Sequence, residues 1–202
     1  MHSSSILRME WFIKTYTTKP KVQSVLDVGS YDVNGTYKTL FPVNKFKYTG
    51  LDVCNGPNVD IVLKNPYNWK SVKTDKYDIV ISGQAFEHIE FFWITFTEMV
   101  RVLKKDGLLC LIVPKGFDEH RYPVDCYRFF SDSMIALSRY ASLTTLHTHT
   151  NAAPYGKQTD WCISGWADTM LVAQKSYSGK IVNPDFSKYQ CIPSNQSSLN
   201  KF

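Results

Sequence analysis

The stretch SVLDVGSYDVNG, Ser24 to Gly35, limits the possible folds more than any other part of the chain. Val25, Leu26 and Val28 form an apolar run, Gly29-Ser30-Tyr31-Asp32 breaks it, and Asn34-Gly35 precedes a helix-compatible segment. This order predicts a buried parallel strand, a tight turn and a helix start. A glycine at the turn lets a ligand approach the backbone closely, because no Cβ intervenes. Asp27 sits at the end of the apolar strand, where a carboxylate is costly to bury without a partner.

A weaker copy of the pattern follows about 25 residues later. KYTGLDV, Lys47 to Val53, reads as a second strand ending in Asp52. An acid at that strand tip can hold both ribose hydroxyls of a nucleoside. The glycine turn and the acidic tip together point to a nucleoside-containing cofactor without saying which one. The competing account is an ordinary α/β turn with a solvated aspartate.

The rest of the chain alternates strand and helix signals. Strands are expected at Val59–Leu63, Tyr77–Ser82 and Leu108–Val113, with two closing strands at Leu143–His149 and Ile163–Lys175. Helices are expected at Ile6–Tyr16, capped from Ser3, Ser4 or Ser5, within TYKTLF before Pro42, weakly after Tyr67, at Phe91–Leu103, and in SDSMIALSRYA, capped by Ser131. In the Phe91–Leu103 helix, Phe92, Phe96, Met99, Val100 and Leu103 should face the core, with Thr95, Glu98 and Arg101 pointing out. Lys104 to Gly107 reads as a helix exit, and Pro114 as a strand stop. The alternation predicts an α/β, Rossmann-like fold: a mainly parallel sheet of six or seven strands, helices on both faces, the last strand antiparallel. One domain should run over 1–175, with an N-terminal helix at 5–17. The segment 176–202, rich in Ser, Asn, Lys and Pro, reads as a tail, disordered or draped over the surface.

Composition narrows the function. The 202 residues suffice for one sizeable core. The net charge of +5 comes from scattered lysines rather than a basic stripe, so nucleic acid is not an expected partner. The five cysteines form no CxxC pair, which suggests neither a disulfide framework nor a zinc site. Reduced thiols make a cytoplasmic location the expectation, and Cys110 reads as a small core residue. No apolar run approaches the ~18 residues of a membrane span.

Two further segments should carry chemistry. Ligands in open α/β sheets bind outside the carboxyl ends of the strands. Gly83, Gln84, Phe86, Glu87 and His88, after the Tyr77–Ser82 strand, should therefore face the same pocket as Gly29 and Asp52. Lys115 to Phe130, KGFDEHRYPVDCYRFF, is a long polar and aromatic loop of the kind that often serves function.

These residues resemble the class I S-adenosylmethionine-dependent methyltransferases. The resemblance covers roughly residues 20–175 and rests on LDVGS, on LDV ending at Asp52, on YDIVISGQAFEHI and on the passage through LKKDGLL. It implies S-adenosyl-L-methionine as cofactor, held by Asp27, Gly29, Ser30, Tyr31, Asp32, Gly35, Asp52, Val53, Asn65, Gln84, Phe86 and His88. The chain departs from the family pattern twice. Tyr31 replaces the second glycine of the usual turn, and Asn65 stands where an acidic residue often contacts adenine. A narrower likeness, GS-x-D-x-NG followed by His120, Pro123, Asp125, Cys126, Arg128 and Phe129 as H-x-x-P-x-D-C-x-R-F, is to methyltransferases found beside or fused to glycosyltransferases. That likeness implies a sugar hydroxyl of a glycan as acceptor, a 6-deoxyhexose such as rhamnose being one choice, and glycosyltransferases as pathway partners.

A sugar hydroxyl is a weak acid, so a general base helps its attack on a methyl group. His120 is the first candidate, with Asp125 orienting it or competing for the role, and Arg128 pairing with Asp125 or holding an acceptor oxygen. The same three residues also read as a structural clasp of the loop. His88 is the other candidate base. In the wider family the Glu87–His88 pair more often shapes the donor site. His147 and His149 are expected to be exposed, and Asp160 and Trp161 are possible acceptor contacts. His120, Asp125 and Asp160 form no recognisable metal spacing, so no metal is expected. Three other classes compete. A nicotinamide-dependent dehydrogenase would want G-x-G-x-x-G, which Tyr31 interrupts. A methyltransferase-like module without activity would bind the cofactor only, and a methyltransferase could act on another small molecule.

Overall fold

Alternate residues of the central strands face opposite ways, which splits the core into two layers. The computed structural model describes residues 3–116, 118–150 and 167–181. Seven strands, β1 Gln23–Val28, β2 Phe46–Asp52, β3 Ile61–Val62, β4 Tyr77–Gly83, β5 Leu103–Gly116, β6 Leu143–Thr150 and β7 Ala167–Lys175, form one sheet in the order β3-β2-β1-β4-β5-β7-β6. All neighbours run parallel except β7, which is antiparallel to both β5 and β6. The expected Rossmann-like sheet is present, and its antiparallel member is the last strand in sequence. The order reverses at β1 and β4, so the ligand crevice belongs at their carboxyl ends.

Leu26, Val28, Val80, Leu109 and Leu111 face one layer, covered by α2 (Phe92–Val102) and α3 (Ser131–Tyr140). Val25, Ile79, Ile81, Cys110 and Ile112 face the other, covered by Met9 and Phe12 of α1 (Ser3–Tyr16) and by Tyr37 and Phe41. Cys110 is the buried core residue the sequence suggested, while Cys54 and Cys126 are exposed thiols.

Several elements differ from the sequence expectation. TYKTLF forms a single 3-10 turn, Lys38–Leu40, and the third strand shrinks to Ile61–Val62. No helix follows Tyr67; the chain there makes turns. Thr95, Glu98 and Arg101 explain why. The buried Thr95 and Arg101 and the part-buried Glu98 turn inward onto this segment. Arg101 donates to the carbonyls of Trp69 and Val72 at 3.0 Å each and to Thr74 Oγ1 at 2.9 Å. Glu98 accepts the Trp69 N–H at 3.0 Å, and Thr95 donates to Pro66 O at 3.2 Å. An irregular backbone must have its polar groups satisfied somehow, and here one polar helix stripe supplies the partners.

Two stop signals are also overridden. Lys104 to Gly107 belongs to β5, which follows α2 directly. β5 continues through Pro114 to Gly116, with a register shift against β7 between those two residues. Proline is tolerated at such an irregularity because no ladder N–H is needed there. Ser131 does not cap α3. Its hydroxyl pairs with Thr150 Oγ1, and Ser133 Oγ bonds both the Phe130 N–H and the Phe130 carbonyl. At the end of β7, the Lys175 ammonium is buried and donates to Asp75, Leu103 O and Gly179 O at 2.7–2.8 Å, and beyond it Tyr177 and Ile181 pack on the core. Among the described residues no helix is long and apolar enough to cross a membrane.

Candidate active site

The turn after β1 and the tip of β2 are tied together by backbone. Gly29 has φ +77°, and a Cβ there would stand 2.5 Å from the Ala85 Cβ, so this turn packs directly on the segment that follows β4. The Gly29 N–H donates to Leu51 O at 2.9 Å, and the Tyr31 N–H reaches Asp52 Oδ2 at 3.0 Å. Asp52 Oδ1 accepts the N–H groups of Val53 and Cys54 at 2.7 and 3.1 Å. A carboxylate has about four lone-pair sites, so three backbone donors orient Asp52 and leave it acceptor capacity. Ser30 Oγ donates to Asn58 O at 3.1 Å, and the Asn58 amide returns a bond to Ser30 O at 3.0 Å. Asp32 Oδ1 accepts from the Gly35 N–H at 2.7 Å, closing the Asp32–Gly35 loop.

Tyr31 occupies the position where glycine is usual, and Gly56 accommodates it. A Cβ on Gly56 would lie 2.0 Å from the Tyr31 ring, so the bare backbone at 56 leaves room for the ring. Asp27 has the partner its burial requires: the Tyr48 hydroxyl donates to its Oδ2. Burial still pushes the Asp27 carboxyl up to about 7, against the lowering effect of that bond. Val53 is exposed beside Asp52. Asn65 is exposed, and its Oδ1 is engaged by the Tyr67 N–H at 2.8 Å in a local turn.

The segment after β4 departs from expectation at one residue. Phe86 is fully buried among Phe92 and Phe96 and is a core residue, not a pocket wall. Gln84, at φ +57°, reaches the opposite way, donating to Asp168 Oδ1 at 3.1 Å. Around Asp168 lies a buried polar network that sequence reasoning missed. Ser4 Oγ donates to Asp168 Oδ2 at 2.5 Å, Arg8 donates to Asp168 O at 3.1 Å, and Ser5 Oγ and the Tyr37 hydroxyl lie 2.5 Å apart. The serines expected to cap α1 thus fasten it to the carboxyl end of the sheet. The only signal available was three adjacent serines beside an apolar stripe. His147 and His149 are half-buried rather than exposed, His147 with its ring 4.7 Å from Trp11, and burial lowers the pKa of both.

The loop before α3 closes over the same end. The Cys126 N–H donates to Glu87 O at 2.7 Å, and the Tyr127 hydroxyl to Glu90 O at 2.8 Å. Within the loop Arg128 forks onto Asp125 at 2.5 and 2.7 Å, and the His120 N–H donates to Asp125 Oδ2 at 2.7 Å. Arg128, then the His120 N–H, hold the Asp125 carboxyl well below the usual carboxylate range. The clasp exists, and it presents His120: Nδ1 lies 3.2 Å from Asp118 O and 3.5 Å from Asp125 Oδ2. The His120 ring stands 5.0 Å from that of His88, and the exposed Tyr122 ring lies 5.9 Å from His88. His88 Nδ1 is 2.6 Å from Val124 O, and burial lowers its pKa. Glu87 is fully buried, both its oxygens lack a hydrogen-bond partner, and burial pushes its carboxyl up to about 8. The structure therefore brings His120, Asp125, Arg128 and His88 together, and adds Glu87. Asp160 and Trp161 lie outside the described residues.

Comparison with known proteins agrees with this fold. Residues 37–111 match the methyltransferase domain family. A Bacillus halodurans C-125 protein provisionally named a methyltransferase superposes with TM-score 0.63 at 14% identity, over 87% of this chain and 100% of that one. The Burkholderia thailandensis 1,6-didemethyltoxoflavin-N1-methyltransferase, solved with 1,6-didemethyltoxoflavin and S-adenosylhomocysteine, gives 0.63 at 15%, over 86% and 79%. The [4+2]-cyclase SpnF gives 0.61 at 15%, over 83% and 80%. At such identities the likeness establishes the fold, and the cyclase warns that one fold serves more than one reaction. No curated protein matches the chain in sequence.

Proposed function

We propose that this chain is an S-adenosylmethionine-dependent methyltransferase, a reading supported by the methyltransferase-domain match and the shared fold, and that its acceptor is a sugar hydroxyl of a glycan, a 6-deoxyhexose such as rhamnose being one choice. The observation that carries the proposal is the side-chain arrangement beyond the carboxyl end of β4. The two imidazoles of His88 and His120 stand 5.0 Å apart beside Tyr122, which is 62% exposed. A flat exposed ring suits the apolar face of a pyranose, and an imidazole suits removal of a hydroxyl proton. The H-x-x-P-x-D-C-x-R-F element of the likeness is the same loop.

The residues fit the cofactor. Asp52 would hold the ribose hydroxyls, being oriented already by three backbone donors. The Gly29–Tyr31 turn would carry the body of the donor, with Gln84 and His88 on the far wall. When bound, S-adenosylmethionine supplies a methyl group on a positively charged sulfur. His120 Nε2 takes the hydroxyl proton while Nδ1–H is steadied by Asp118 O and the Asp125 carboxylate. Arg128 neutralises Asp125, and burial keeps His88 unprotonated near neutral pH. On this reading one catalytic domain runs through residue 175, and the enzyme works in the cytoplasm beside glycosyltransferases that make its acceptor.

The test is incubation with methyl-labelled donor and a panel of mono- and oligosaccharides, rhamnose-terminated ones included. Label in a sugar hydroxyl is expected. Label only in non-sugar acceptors would overturn the acceptor, and donor binding without transfer to anything would favour a module without activity.

A further inference from the structure

Spacing in the sequence gives no metal site, yet the fold assembles one set of ligands that spacing cannot reveal. Glu87, His88 and His120 each bring one ligand atom into a cluster in which all lie within 4.8 Å of one another. We infer that this trio binds a single divalent transition-metal ion of the Zn(II)/Fe(II) class.

Glu87 is the first argument. Its side chain is fully buried, and neither carboxylate oxygen has a hydrogen-bond partner. A buried carboxyl with neither oxygen hydrogen-bonded is costly in either protonation state, and a bound cation would satisfy both oxygens. Arg128 forks onto Asp125 and acts on Glu87 only through its charge, making no hydrogen bond to either Glu87 oxygen. His88 Nε2 lies 3.7 Å from Glu87 Oε1, too far for a hydrogen bond. Ligands about 2.1 Å from a tetrahedral ion stand about 3.4 Å from one another, so this pair is nearly at coordination spacing. The cluster needs only to draw in slightly at His120, which sits on a loop.

The histidines supply the second argument. His88 Nδ1 lies 2.6 Å from Val124 O, a distance that assigns the proton to Nδ1 and turns the Nε2 lone pair toward Glu87. His120 repeats the arrangement, Nδ1 facing Asp118 O at 3.2 Å with Asp125 behind it at 3.5 Å. Metal-bound histidines characteristically donate their other N–H to a carbonyl or carboxylate, which fixes the ring and raises its basicity. Two imidazoles and one carboxylate with open positions suit zinc or non-haem iron and leave room for an exogenous oxygen.

The role of the ion rests on the sugar-hydroxyl reading. An ion bound there would take over the base role of His120, whose Nε2 becomes a ligand: an acceptor hydroxyl on the ion would become far more acidic, as water does on zinc, and its proton would leave to solvent. The binding itself does not depend on that reading. Metal-free protein is therefore titrated with Co(II), followed by its visible absorption and by calorimetry, in the wild type and in Glu87→Gln, His88→Ala and His120→Ala. One ion per chain is expected, with affinity lost in each variant by more than the ~10–100-fold typical of an outer-shell change. His120→Ala alters an exposed loop and keeps the test open if the core variants misfold. Absence of binding to the wild type, or affinity unchanged in His120→Ala, would overturn the site. Transfer to sugars that needs no metal would remove the role of the ion while leaving the acceptor reading intact.

Discussion

The two groups of residues at the carboxyl ends of the strands, the proposed donor and acceptor walls, are built differently. On the donor wall, Gly29, Tyr31, Asp52, Val53 and Cys54 are joined through backbone N–H groups at short sequence separations. On the acceptor wall, Glu87 and His88 at the end of β4 meet His120, Asp125 and Arg128 from a loop more than thirty residues away, largely through side chains. The donor wall presents oriented dipoles and one partly exposed carboxylate, and few of its parts change charge. The acceptor wall concentrates ionisable groups, Glu87 and Asp125 buried and His88, His120 and Arg128 part-buried around them. On the proposed function, the first kind of wall holds a cofactor shared across the fold, and acceptor choice and proton handling fall to the second.

That contrast can be broken or sharpened by substitution. The largest effect is expected for His120→Ala, which should lower kcat roughly 10²–10⁴-fold and leave donor affinity unchanged by calorimetry. Loss of donor binding instead would move His120 to the other wall. Next is the pH dependence of metal-free protein. Glu87 titrates near 4 when unfolded and near 8 when folded. The folded state thus keeps a proton that the unfolded chain releases. The stabilisation is complete below about pH 4 and is lost as pH rises through about 8, at up to about 1.4 kcal/mol per pH unit. Asp27, raised to about 7, adds in the same direction. Denaturant melts from pH 4 to 8 should show this decline, and Glu87→Gln should flatten much of it.

Arg128→Leu ranks third. It strands Asp125, whose side chain is 1% exposed, and should cost about 3 kcal/mol of stability, with the pH profile of turnover shifted as well. Asp125→Asn combined with Arg128→Leu should recover part of that loss. The smallest effect is on the donor wall: Gly29→Ala, at φ +77° and against Ala85, should destabilise by about 1–3 kcal/mol and weaken donor binding without altering the acceptor-side pH profile.

The donor wall was legible because its signals are local. An apolar run broken at Gly29 and an acid closing the next strand specify a parallel strand, a turn and a ligand edge. Packing hid the rest. Thr95, Glu98 and Arg101 look like a solvated helix face, and only the irregular segment 66–74 gives them buried work. Phe86 sits between pocket residues in sequence, but its ring turns into the core. Gly56 reveals its purpose only once the Tyr31 ring lies over it. The grouping of Glu87, His88 and His120 depends on a loop closing across the sheet, which no spacing along the chain encodes.

Calorimetric titration of wild type and Asp52→Ala with S-adenosylhomocysteine tests the arrangement most directly. Single-site binding by the wild type is predicted, weakened about 10–100-fold in Asp52→Ala through loss of charge-assisted bonds to the ribose. No binding by the wild type, or equal affinity in the two proteins, would contradict the placement of the cofactor between the Gly29 turn and the tip of β2.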